Sequence, residues 1–175
     1  MLYLIREVRY GGAELNFELL GAIVHYIQTF PERFHHPKEE AYLFPALARR
    51  WPASAPLLGR LKQQHESGAV RLDELRQALT RCEQSGPSEF PNFAALAAGY
   101  AAFHWEHMQV EERELLPLAK IHLTDEDWEA IDAAFLGHTD PMFGAKSGAE
   151  YDAMFRRIVD LAPPPLGSGS GHRSQ

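Results

Sequence analysis

Leu58-Gly59-Arg60-Leu61-Lys62-Gln63-Gln64-His65-Glu66-Ser67-Gly68-Ala69-Val70-Arg71-Leu72-Asp73-Glu74-Leu75-Arg76-Gln77-Ala78-Leu79 is the stretch that decides the fold. Leu58, Leu61, His65, Gly68, Leu72, Leu75 and Leu79 recur at alternating steps of three and four, the seam of a helix packed lengthwise on other helices. This spacing predicts a long helix from about Ser54 to Cys82. His65 stands in an otherwise leucine-lined seam, and a buried imidazole needs a partner. Gly68, one turn on, leaves room beside it at a helix-propensity cost of about 1 kcal/mol.

Outward from this seam the chain reads as helix, with little that reads as strand. Leu2, Ile5 and Val8 mark a short first helix ended by Gly11-Gly12. A second runs from Ala13 to Phe30, with Leu15, Leu19, Ile23, Tyr26, Ile27 and Phe30 inward. Pro31 and Pro37 are expected to interrupt or kink it before helix resumes over Lys38 to Arg50. Turns are expected at Trp51–Ser54 and Ser85–Ser88. Phe90 to Leu118 is the next long helix, and Thr124 caps a short one reaching Phe135, with Asp127 in the reciprocal capping position. Gly137 to Gly148 reads as loop and Tyr151 to Leu161 as a last helix. The Pro/Gly/Ser-rich tail 163–175 is expected to be disordered, leaving residues 1–162 as one domain.

One phrase recurs. His35-His36-Pro37-Lys38-Glu39-Glu40 ends at Pro45, and His107-Met108-Gln109-Val110-Glu111-Glu112 ends at Pro117. Residues four apart share a helix face, so each phrase aims one imidazole and one carboxylate the same way. Two such helices facing each other, with His65 on a third, bring His35, Glu39, His65, His107 and Glu111 to one place. Imidazole suits iron, zinc and copper, and carboxylate can bridge two ions. Glu40 and Glu112 read as solvated neighbours. His36 reads as outward-facing or as a support for a ligand, and His104 as a support or pocket wall. His25, His122, His138 and His172 read as surface residues.

Composition bounds the function. The 175 residues suit one domain, and the net charge of −7 argues against a nucleic-acid surface. No apolar run is long enough to span a bilayer, and nothing reads as a secretory signal. Cys82 is the single cysteine, which excludes an internal disulfide or a thiolate metal cluster and fits a cytoplasmic setting.

The segments Phe34 to Pro45, Leu61 to Gly68 and His107 to Pro117 resemble the bacterial hemerythrin-like, or HHE cation-binding, domain. Asp140-Pro141-Met142-Phe143-Gly144 and Ala162-Pro163-Pro164-Pro165 resemble the C-terminal extension of one subgroup. The resemblance covers nearly the whole chain. It implies an all-α, up-down four-helix bundle with a short helical extension and a non-haem di-iron centre. His35 would bind one iron, His65 and His107 the other, and Glu39 and Glu111 would bridge. It also implies dioxygen binding or sensing, or iron handling, with dioxygen or another small diatomic or peroxide ligand as partner.

One family ligand, a histidine early in the first helix, has no counterpart before Leu2–Val8. Two expectations follow: a true start upstream, or a short first helix with an under-ligated first iron. Two rival readings stand beside the leading one. One is a di-iron enzyme reducing peroxide or nitric oxide. The other is a metal-poor bundle that signals to a protein partner.

Overall fold

The computed structural model describes residues 1–136 and 149–169, and among them every regular element is helical. Helix α1 is Leu2–Tyr10. A continuous rod over 17–50 follows, built from α2 (Phe17–Ile27), a π-helical segment Gln28–His35, α3 (His36–Lys38), a second π segment Glu39–Leu43 and α4 (Phe44–Arg50). Helix α5 is Ala55–Ser85. A third rod, 90–122, comprises α6 (Phe90–Val110), a π segment Glu111–Leu115 and α7 (Leu116–His122). Helices α8 (Asp125–Leu136) and α9 (Ala149–Leu161) complete the described elements. None of these helices is long and apolar enough to cross a membrane.

The all-helical expectation holds, but the helix count differs. The described residues form six helical stretches, three long (17–50, 55–85, 90–122) and three short, against an expected four-helix bundle with a short helical extension. The two prolines do not interrupt the second rod. Each of the three π segments ends two residues before a proline, at Pro37, Pro45 and Pro117. Proline offers no N–H, and its ring collides with the carbonyl four residues back. Widening the turn removes that clash. The residue before each proline instead donates its N–H five residues back: His36 to Pro31 O, Phe44 to Glu39 O and Leu116 to Glu111 O. The rods continue through the prolines as π turns.

Helix α2 starts later than expected, at Phe17, because Asn16 caps it by accepting the N–H of Leu19 at 2.9 Å. The Thr124 cap is reciprocal as expected. Thr124 N donates to Asp127 Oδ2 at 3.1 Å, and Asp127 N to Thr124 Oγ1 at 3.4 Å. Beyond α9, the tail expected to be disordered turns back at 163–169. Ser168 N donates to Val159 O at 2.9 Å and Gly169 N to Ala162 O at 2.9 Å. Gly167 permits this approach, since a Cβ there would stand 2.1 Å from Val159 O. The expected loop Gly137–Gly148, with Asp140–Gly144, lies outside the described residues, as do His138 and His172.

All seven seam positions of α5 are buried. They divide the interior into two apolar halves. Leu20, Val24, Leu72, Leu75, Leu79, Phe93, Ala97 and Tyr100 pack at one end, where Ile5 of α1 joins them. Leu43, Phe44, Leu47, Leu58, Leu61, Leu115, Ala119 and Leu123 pack at the other, with Ile131 of α8. Between the halves each long rod contributes polar side chains to the interior: His36 and Glu39, His65, and His107. Helix α9 lies against α2, where Met154 and Ile158 cover Tyr26 and Phe30.

Candidate metal centre

The π turns place the donors. Glu39 and Glu111 are the opening residues of their π segments, each with its backbone carbonyl accepting the widened hydrogen bond. His35 closes the segment before Pro37. Glu39 is 5% exposed and spans two imidazoles, Oε1 lying 3.5 Å from His35 Nε2 and Oε2 3.5 Å from His65 Nε2. On the facing rod His107 Nε2 lies 2.8 Å from Glu111 Oε1. The five residues expected from the sequence therefore converge on one interior spot.

The structure adds residues the sequence reading misplaced or missed. His36, expected to face outward or to support a ligand, is buried. Its ring lies parallel to that of His65 with centroids 4.0 Å apart, and meets His107 edge-on at 5.3 Å. Glu40, expected to be solvated, accepts a hydrogen bond from His65 Nδ1 at 2.7 Å. Gln64 Oε1 accepts one from His107 Nδ1 at 3.1 Å. A carboxylate and an amide oxygen acting as acceptors keep the proton on each Nδ1. That leaves each Nε2 lone pair facing inward. Glu112 is exposed, as expected. His25 is exposed too, whereas His122 is half-buried and stacks on Trp51.

Apolar and aromatic side chains wall part of the site. Phe44 stacks on His65 at 5.8 Å, and Phe135 of α8 meets His35 edge-on at 5.8 Å. Phe44 precedes Pro45, so its place follows from the same π turn. Phe135 is distant in sequence and carries no local signal. Gly68 does not leave open space beside His65. A Cβ there would lie 3.3 Å from Phe103 Cε1 and 3.4 Å from Glu32 Oε1, so the glycine lets those two side chains close in. His104 stacks on Tyr100 and lies 6.1 Å from the His107 ring, as a pocket wall would.

Electrostatics follow from burial and crowding. Burial pushes the Glu39 carboxyl up, but its contacts with His35 and His65 outweigh that and hold it below the usual carboxylate range. Burial lowers His65, while Glu39 and Glu40 raise it to a net value above the ordinary imidazole. His36 is held low by burial, against the pull of Glu32. His104 drops to about 4 through burial, then the nearby charges of His107 and His36.

The donor set suits a cation. His36 Nδ1, Glu39 Oε2, His65 Nε2, His107 Nε2 and Glu111 Oε1 are all buried and make no hydrogen bond, the 2.8 Å approach of His107 Nε2 to Glu111 Oε1 being a close contact without hydrogen-bond geometry. Each such atom costs about 1–3 kcal/mol if left unsatisfied, and a metal would satisfy them together. One donor atom from each of His36, His65 and His107 lies within 4.8 Å of the others, and the same holds for His35, Glu39 and Glu111. The first group offers three nitrogens, the second one nitrogen and two carboxylates.

A comparison with protein families matches the hemerythrin HHE cation-binding domain over residues 2–119. Comparisons with curated proteins and with solved structures give no match. The match takes in the rods 17–50 and 55–85, the rod 90–122 as far as residue 119, and every donor above, and so the chain belongs to the hemerythrin HHE cation-binding family.

Proposed function

We propose that this chain holds two iron ions between its three long rods and binds dioxygen, or another small diatomic or peroxide ligand, at that centre. His35, Glu39, His65, His107 and Glu111 are the ligands in this reading. The observation that carries it is that Glu39, His65, His107 and Glu111, drawn from all three rods, each bring a buried donor atom that makes no hydrogen bond, with His35 Nε2 3.5 Å from Glu39 Oε1. Bound iron would supply reversible one-electron chemistry and an open coordination position for the small ligand. The chain's own residues do the rest. Glu39 holds one oxygen 3.5 Å from His35 Nε2 and the other 3.5 Å from His65 Nε2, and would help to hold the ions there. Glu40 and Gln64 fix the tautomers of His65 and His107. Phe44, Leu43, Leu115 and Phe135 keep bulk water from the centre.

In the same reading residues 1–162 are one cytoplasmic domain. Helix α1 and the three long rods are its four bundle helices, and α8 and α9 are additions to that bundle. Protein purified without oxygen is expected to carry two irons per chain and to give a reversible optical change on exposure to air. Sustained peroxide turnover without a stable oxygenated spectrum would favour a redox enzyme. A chain that takes up no metal, and melts at the same temperature with and without ferrous iron, would remove the proposal.

A further inference from the structure

We propose that His36 is itself a metal ligand, forming with His65 and His107 an all-imidazole position, while His35, Glu39 and Glu111 form the other. This rests on the two-ion reading above and deepens it by dividing the donors into two unequal sets. Neighbouring residues on a helix face about 100° apart, so His35 and His36 cannot serve one point equally well. In this rod they serve two. His35 lies beside Glu39 and Phe135, and His36 beside His65 and His107.

Three observations separate ligation from simple packing of His36. Its side chain is 7% exposed, and Nδ1 makes no hydrogen bond, with Glu32 Oε2 standing 3.5 Å away. The facing atoms His65 Nε2 and His107 Nε2 make no hydrogen bond either, and each has only a carboxylate oxygen beside it, of Glu39 at 3.5 Å and of Glu111 at 2.8 Å. One donor atom from each ring falls within 4.8 Å of the others. Metal–nitrogen bonds of about 2.1 Å require these atoms to draw together and the His36 ring to tilt out of its parallel stack on His65. A surface cleft of about 470 Å³, with Glu32, Glu40 and Glu66 in its lining, reaches His36 and His65 and gives cations an approach from outside.

The two positions therefore differ in character. A three-nitrogen position favours the later first-row ions more strongly than one imidazole with two carboxylates. The metal-free full-length chain, labelled with nitrogen-15, is titrated with zinc while the imidazole nitrogen resonances are followed. The first equivalent is expected to shift the ring nitrogens of His36, His65 and His107 together, and His35 is expected to move with the second. The substitution His36→Gln is expected to weaken the first step at least about tenfold, the lower end of what losing even a supporting group costs, and to leave the second step unchanged. Uptake of two zinc ions with the His36 nitrogens unmoved overturns the inference and leaves the two-ion reading standing. Absence of any uptake removes both. The wild-type titration decides the question even if the variant fails to fold.

Discussion

At the scale of single residues, the centre depends on groups that never need to touch a metal. Glu40 accepts the Nδ1 proton of His65 at 2.7 Å and so orients its ring. Glu40→Ala is expected to lower metal affinity about 10- to 100-fold, the usual cost of removing such a partner. Glu40→Gln keeps an acceptor oxygen and is expected to restore most of it. Competition against a chelator of known affinity measures both. The same scale explains why the sequence left His36 either outward-facing or supporting a ligand. In the spacing rule that pairs His35 with Glu39, an adjacent residue belongs to another face. That rule assumes a single target, and the structure holds two groups of donors side by side.

Among the helical elements, proline placement proves more informative than helix propensity. The recurring phrase ends in Pro45 and Pro117, and each proline forces a π turn directly over the carboxylate donor. Pro117→Ala restores the missing N–H and lets the turn tighten to ordinary α geometry. The expected result is unchanged helical content by circular dichroism with metal affinity at least about tenfold weaker, because Glu111, which opens the turn, loses its place beside His107. A rise in affinity would contradict this.

Helix α8 is held by a separate device. Asp127 accepts from Arg49 Nη2 and Arg50 Nε at 2.6 Å each, besides capping Thr124. The Arg50 hydrogen bond, then the backbone N–H of Thr124, hold its carboxyl well below the ordinary value of 3.8. Below about pH 4 the unfolded chain takes up this proton while the folded one resists, so the contribution is present above that range and lost as pH falls through it. The stability gap between wild type and Asp127→Asn, measured by urea unfolding, is therefore expected to be constant at neutral pH and to shrink below about pH 4.

For the whole molecule, a polar belt is sandwiched between two apolar halves. Phe93 is fully buried in one of them. Phe93→Ala is expected to cost about 3–5 kcal/mol in the metal-free protein. Metal binds only the folded chain, so a free metal concentration one hundred times the dissociation constant is expected to add about 2.7 kcal/mol. A chelator should remove that increment, and calorimetry with and without metal measures it.

What the sequence by itself determined was local and periodic. The alternating steps of α5 require a lengthwise helix with His65 inside, and the two four-residue spacings require imidazole and carboxylate on one face. The Thr124–Asp127 cap is local as well, because its partners lie three residues apart. Only the tertiary structure decided that His36 turns inward and that Phe135 walls the centre. Those features arise between segments far apart in the chain. His36 faces inward because rings from two other rods are already there, and Phe135 meets His35 only because α8 packs back against the second π turn. Neither contact leaves a mark in the residues immediately around it.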